Sequence, residues 1–259
     1  MAMSAASDQA TLLSIADGVA TITLNRPKEK NSISPPLLNS LCDQLKACMA
    51  DPGVRVVVLT NAGNTFCAGA NLKGGGEAPR YSLVDLFGIM QEGSKVIVGK
   101  INGHCTGGGV GIAAACDISV ISNAAEVGFT EVRIGVSPAI ISVVCLPKLR
   151  RTDAAELMLS GEKVKAAKAA EVGLLNHCVE PGELDSKVNE IVGKIVRGGP
   201  GALAATKSLL YRVPSMPVAE AFKWTQELSM KLFQSEEARE GITAFAQRVD
   251  APWVPKAKL

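Results

Sequence analysis

Histidine is nearly absent from this chain: His104 and His177 are two of 259 residues. With no HExxH pattern and no cysteine–histidine pairing, the sequence shows no ligand set for a catalytic metal. The seven cysteines are an odd number, are nowhere spaced as CxxC, and mostly have apolar neighbours. They read as small buried hydrophobes rather than as a disulfide framework. Charge of one sign is missing as well. With 27 basic against 25 acidic side chains, there is none of the one-sided field that a phosphate backbone selects, so nucleic acid is not an expected partner. The longest mostly apolar stretch, residues 134–147, is broken by Gly135, Ser137 and Pro138, short of the ~20 residues that span a bilayer. Residues 1–8 lack the cationic flank and apolar core of a signal peptide. The expectation is a cytoplasmic protein with no membrane partner.

What is present is an ordinary globular composition, 47% hydrophobic and 20% charged, at a length between one and two typical domains. Residues 12–25 read as two strands around Asp17-Gly18, a dipeptide suited to the primed turns of hairpins. Ser34 before Pro35-Pro36 starts a helix carried by Leu37, Leu41 and Leu45 and ended near Asp51-Pro52-Gly53. Short β-branched runs at 54–60, 96–102 and 118–122 have the character of strands buried on both faces. Helical patterns fall at 82–91, 107–116 and 138–149. Strand–helix alternation of this kind indicates an α/β core. From residue 152 the pattern is nearly all helical: 153–160, 166–172, 183–196, 202–211, 218–233 and 236–248. Gly198-Gly199-Pro200-Gly201 reads as a linker, which divides the chain into a sheet-containing core, 1–195, and a smaller helical unit, 196–259.

Two glycine-bearing loops follow two of these strands. One is Asn64-Thr65-Phe66-Cys67-Ala68-Gly69-Ala70-Asn71-Leu72-Lys73; the other is Asn102-Gly103-His104-Cys105-Thr106-Gly107-Gly108-Gly109-Val110-Gly111. Glycines at a helix start leave unpaired N–H groups and the positive end of the helix dipole open to a ligand oxygen, which is how an oxyanion hole is built. Taken alone, each loop is better read as glycines that allow tight turns and close helix packing. The stretch 109–114 also matches GxGxxA with Glu131 as a ribose-binding acid, although a dinucleotide turn follows its strand directly and this one does not. Glu131 is read either as a functional carboxylate in an apolar, glycine-bearing stretch or as the ion-pair partner of Arg133. His104 is read as a packed, hydrogen-bonded histidine, and Cys67 as a core residue.

The two loops together, with Asn25-Arg26-Pro27, Asn31 and Ser32, Ala115-Cys116-Asp117, Phe129-Thr130-Glu131 and the later Leu159-Ser160-Gly161-Glu162, resemble the enoyl-CoA hydratase/isomerase (crotonase) superfamily over nearly the whole chain. The resemblance implies an α/β fold, a crotonase-like spiral of ββα units with a helical C-terminal region that forms trimers, often paired into hexamers. It implies an acyl-coenzyme A thioester as substrate and no further cofactor. The N–H groups of Ala70 and Gly108 would hold the thioester oxygen. Ala68, Ala70, Asn71, Leu72, Lys73 and Gly108 would contact substrate, with Lys73 and Lys28 as candidate partners for coenzyme A phosphates. Glu131 would be the acid/base. The family more often has Asp at position 71, and its hydratases often carry a first glutamate where this chain has Gly111. Hydration of a 2-enoyl thioester by Glu131 is the leading expectation. Δ3,Δ2-isomerisation by a single carboxylate, or binding without catalysis, are the alternatives.

Overall fold

In the computed structural model, which describes residues 9–72 and 78–255, a hairpin joins β1 (Thr11–Ala16) to β2 (Val19–Leu24). Both turn residues, Asp17 and Gly18, have positive φ, 49° and 77°, as a type I′ turn requires. Next come α1 (Pro35–Ala50), β3 (Val56–Asn61), β4 (Thr65–Cys67), α2 (Leu83–Glu92), β5 (Val96–Ile101), β6 (His104–Thr106) and α3 (Gly108–Ala115). These are followed by β7 (Ile118–Ser122), β8 (Glu126–Gly128), α4 (Ala139–Cys145), α5 (Arg151–Ser160), β9 (Lys163–Lys165), α6 (Ala166–Glu171) and β10 (His177–Val179). Four helices complete the described chain: α7 (Leu184–Ile195), α8 (Pro200–Arg212), α9 (Val218–Phe233) and α10 (Glu236–Gln247).

Each turn of the spiral lays one strand in each of two sheets. β3, β5 and β7 belong to a six-stranded sheet ordered β1-β2-β3-β5-β7-β10, while β4, β6 and β8 belong to a smaller sheet ordered β4-β6-β8-β9. Pairing is parallel except at the edges, where β1 and β9 run antiparallel to their neighbours. The central strands β3, β5 and β7 of the larger sheet are buried on both faces, as their β-branched runs anticipate, while the edge strand β1 is largely exposed. Alternate residues of β3 enter opposite cores: Val57 and Leu59 pack with α1, α2 and α3, whereas Val56 and Val58 pack with Leu184, Val188 and Val192 of α7. Six of the seven cysteines are buried and Cys178 is half-buried, all as free thiols.

Several boundaries depart from expectation. The three-residue strands β4, β6, β8 and β9 carry no period-2 signal, and none was anticipated. The helical pattern at 138–149 resolves into α4 and a separate 3-10 turn, Leu146–Lys148, where Pro147 has no N–H to continue the α-helical bonds. Pro200 and Gly201, expected in a linker, form the first turn of α8, where proline's fixed φ suits a helix start.

A buried ion pair attaches α8 to the core. The Lys207 ammonium, 3% exposed, donates to Asp117 Oδ2 at 2.8 Å and to the Lys95 carbonyl at 2.9 Å. The Tyr211 hydroxyl donates to Asp117 Oδ1 at 2.9 Å, and the Ile97 N–H to Oδ2 at 2.7 Å. Asp117 directly follows Cys116, the C-cap of α3, so this cluster fixes one end of α3. Removing one partner of such a pair leaves a charge buried without compensation. Lys207→Met is therefore expected to lower the unfolding free energy by about 3–5 kcal/mol, measured as a shift of the urea midpoint.

Candidate active site

The small sheet assembles the site. β4, β6 and β8 lie side by side in parallel, with Cys67 opposite Cys105 and Thr106 opposite Gly128. Neighbouring strands are about 4.8 Å apart, so their C-terminal ends release three segments next to one another. β4 leads to Ala68-Gly69-Ala70, β6 to Gly107-Gly108, and β8 to Phe129-Thr130-Glu131. Cross-links hold these segments in place. The Thr106 hydroxyl donates to the Ala68 carbonyl at 3.1 Å, and the Gly107 N–H to the Gly128 carbonyl at 3.0 Å. Gly69 sits at φ +82°, where a Cβ would stand 2.9 Å from the Thr106 carbonyl and 3.1 Å from the Gly108 nitrogen. Only glycine combines that backbone angle with that approach.

Gly108 is the first residue of α3, so its N–H has no intrahelical acceptor and lies at the positive end of the helix. Ala70 is held by an isolated parallel bridge to Ile33, in which the Ile33 N–H donates to the Gly69 carbonyl at 2.8 Å. Among the described residues, neither the Ala70 nor the Gly108 N–H donates to a main-chain acceptor. The two loops touch one residue before Ala70: a Cβ on Gly108 would lie 3.7 Å from Gly69 Cα.

Glu131 completes the group. It begins a 3-10 turn, Glu131–Ile134, and its Oε1 is 3.4 Å from the point a Gly107 Cβ would occupy. Its Oε2 is sealed from solvent and has no hydrogen-bond partner. Burial raises the carboxyl above its ordinary range, opposed by a hydrogen bond from its own backbone N–H. Arg133 is not its partner. That guanidinium pairs with Glu162 and donates to the Gly161 and Ser160 carbonyls at 3.1 and 3.2 Å, which corrects the ion-pair alternative. The nearby Cys145 thiol is pushed up to about 12 by burial, with the Lys148 charge opposing and the Glu131 charge adding to the shift.

The space beside Gly111 is full. A Cβ there would collide with the Ile141 side chain and stand 3.0 Å from Phe87 Cζ. Two apolar side chains from α4 and α2 thus take the volume that a side chain at 111 would need. The dinucleotide reading of 109–114 fails on the same grounds. Gly109 packs against the Cys67 carbonyl and Gly111 against Ile141, so both glycines serve helix packing.

The remaining sequence candidates are placed as follows. Ala68 is half-buried and its N–H donates to the Lys30 carbonyl at 3.1 Å. Asn71 is half-buried, Leu72 is 74% exposed, and Lys28 is exposed on the 3-10 turn Pro27–Glu29. Lys73 lies outside the described residues. His104 Nδ1 accepts from the Glu126 N–H at 3.1 Å, the packed role expected of it. Cys67 is fully buried with its thiol raised to about 12 by burial, so it offers no nucleophile. Among the described residues there is no cluster of three or more His, Cys, Asp or Glu arranged to hold a metal. Sequence reasoning missed Ile33, and took Thr106 only as a member of the second glycine-bearing loop, because the spacing of these residues carries no signal that separates them from their neighbours.

The model of the enoyl-CoA hydratase/isomerase family matches residues 14–256. The chain belongs to that family. Within the enoyl-CoA hydratase/isomerase family it is 34% identical over 240 residues to a putative enoyl-CoA hydratase of Thermus thermophilus, covering 89% of this chain and 95% of the relative. It is 31% identical to the (E)-benzylidenesuccinyl-CoA hydratase of Thauera aromatica over 247 residues, 91% of this chain and 95% of that protein. Its fold is that of the crotonases. Pseudomonas aeruginosa AtuE superposes with a TM-score of 0.89 at 29% identity, covering 95% of this chain and 99% of the other. A Mycobacterium smegmatis enoyl-CoA hydratase superposes at 0.87 and 28% identity, covering 94% and 98%.

The raised carboxyl gives this family member a pH-dependent stability. Between the ordinary glutamate value of 4.5 and the higher value in the folded protein, the native state holds the Glu131 proton more tightly than the unfolded chain does. The contribution is therefore fully present below pH 4.5 and is lost as pH rises through the folded value. Glu131→Gln removes that loss. Chemical denaturation from pH 4 to 8 is expected to show the variant gaining stability relative to the parent as pH rises.

Proposed function

We propose that this protein hydrates a 2-enoyl-coenzyme A thioester. The observation that carries the reading is the convergence, at one end of a parallel sheet, of two available main-chain donors and one desolvated carboxylate. The Ala70 and Gly108 N–H groups hold the thioester oxygen, and Glu131 takes a proton from the water whose oxygen bonds to C3. The electrons of the C2–C3 double bond move toward the thioester and leave an enolate whose negative oxygen the two donors stabilise. Glu131 then returns the proton to C2. The sum is one water added, with no cofactor beyond the coenzyme A of the substrate. Losing one donor of this kind typically costs on the order of 100-fold in rate. Ala68, Asn71 and Leu72 line the approach, with Lys73 and Lys28 serving the coenzyme A phosphates.

A second reading, Δ3,Δ2-isomerisation, is favoured by the packing over Gly111. Ile141 and Phe87 leave no room at 111 for a second carboxylate, and moving one proton between C2 and C4 needs only one. The two readings separate by absorbance: hydration of crotonyl-CoA removes the enone band, and isomerisation of a 3-enoyl-CoA creates it. In either case Glu131→Gln is expected to lower turnover by about 100-fold or more. A protein that binds acyl-CoA and turns over neither substrate, or a Glu131→Gln variant with unchanged turnover, defeats the proposal.

The unit 196–259 is read as an oligomerisation region. Phe222 and Phe233 on α9 and Phe245 on α10 are 73%, 71% and 86% exposed, large apolar side chains that contact with another subunit would cover. Sedimentation is expected to give a homotrimer or its paired hexamer, and a monomer at micromolar concentration overturns that assignment. No helix among the described residues is long and apolar enough to cross a membrane, and the cytoplasm is the proposed location.

A further inference from the structure

We infer that the segment Asn31-Ser32-Ile33, anchored by the buried Asn31 amide, sets the position of the two oxyanion donors relative to each other. The inference rests on the enolate chemistry proposed above and adds positioning residues to it.

Asn31 is fully buried and has a left-handed backbone, φ +48°, directly after Lys30 at φ +52°. Such a conformation in two successive non-glycine residues costs energy and persists only where the surroundings hold it. The Asn31 side chain supplies that hold. Its Nδ2 donates to the Thr65 carbonyl at 2.8 Å and to the Ala62 carbonyl at 3.1 Å, and its Oδ1 accepts from the Arg26 N–H at 2.7 Å. Both amide hydrogens and the amide oxygen are therefore used, as a buried amide requires. Thr65 is the first residue of β4, so Asn31 is bonded to the strand that leads into the first donor loop.

The segment then runs along that loop. The Lys30 carbonyl accepts from the Ala68 N–H, the Ile33 N–H donates to the Gly69 carbonyl, and Ile33 bridges to Ala70. Thr106 grips the same loop from the β6 side through the Ala68 carbonyl. Ile33 also reaches the second donor, because its Cδ1 lies 2.7 Å from the place of a Gly108 Cβ. One residue thus touches the chain at both Ala70 and Gly108. Ala70 stands three residues beyond the end of β4, far enough at ~3.3 Å per residue for its N–H to wander by several ångströms without a lateral hold. A misplacement of about 1 Å in such a site can cost 10²-fold in rate.

The test uses the whole protein and two variants. Asn31→Gly keeps access to positive φ and removes all three side-chain bonds. Its kcat, on whichever enoyl-CoA the parent turns over, is expected to fall by about 100-fold with a much smaller change in KM, the signature of an interaction realised in the transition state. Binding of saturated butyryl-CoA should persist, while the near-ultraviolet enolate band of bound acetoacetyl-CoA should weaken. Ile33→Ala retains the main-chain bonds, empties the space over Gly108, and is expected to show the same pattern at about tenfold. It serves if Asn31→Gly does not fold. A folded Asn31→Gly, or an Ile33→Ala, with the parental kcat and enolate band overturns the inference while the parent's activity stands. An inactive parent that forms no enolate band overturns the proposed function and the inference with it.

Discussion

The short parallel ladder of β4, β6 and β8 is the constraint on which the rest of the site depends. Three strands of three residues each cannot form a stable sheet alone, because so few hydrogen bonds do not offset the entropy of ordering them. They exist because the larger sheet fixes where each turn of the spiral crosses over. Once paired, they place Ala70, Gly108 and Glu131 from separate stretches of sequence within one site. The spacing of the chemistry is thus inherited from the strand spacing, and the loops only have to be kept from drifting.

Around that ladder the protein sets apolar packing beside α3 and leaves Glu131 Oε2 without a polar partner. Ile141 and Phe87 close over Gly111, and the one basic residue beside Glu131 in the 3-10 turn, Arg133, turns away to Glu162. The result is a carboxyl with one orphaned oxygen. Desolvation without compensation works against folding, and here the residue bearing it is the one proposed to move a proton. On that proposal the unfavourable group and the functional group coincide, which is the usual pattern at sites that carry chemistry.

How much of this was readable beforehand depended on the length of each signal. The hairpin at Asp17-Gly18 was legible from the specific chemistry of its turn dipeptide, and the doubly buried strand β3 and helix α1 because β-branched runs and 3.6-residue spacing extend over six or more residues. The strands β4, β6, β8 and β9 were not, since in three residues a period of two cannot be told from chance. The glycine loops and Glu131 stood out by composition, but their adjacency did not, because it comes from pairing between strands that start about twenty to forty residues apart in sequence. Asn31 was visible only as part of a motif. Its role emerges from the carbonyls of Ala62 and Thr65, which no local pattern connects to it. The full volume beside Gly111 was invisible for a similar reason: Phe87 and Ile141 reach it from two other helices.

The sealed thiols bear on how the protein is lost. Burial holds Cys42, Cys67 and Cys116 at a pKa near 12, so in the native fold these sulfurs are chemically silent. Unfolding returns all seven cysteines to an ordinary value of ~8.5, where a useful fraction is thiolate at neutral pH. In an oxidising medium the opened chains are then exposed to disulfide cross-linking from which the native fold is shielded. Where that cross-linking outruns refolding, loss of the native fold proceeds at the pace of unfolding itself, and a reductant keeps the return path open.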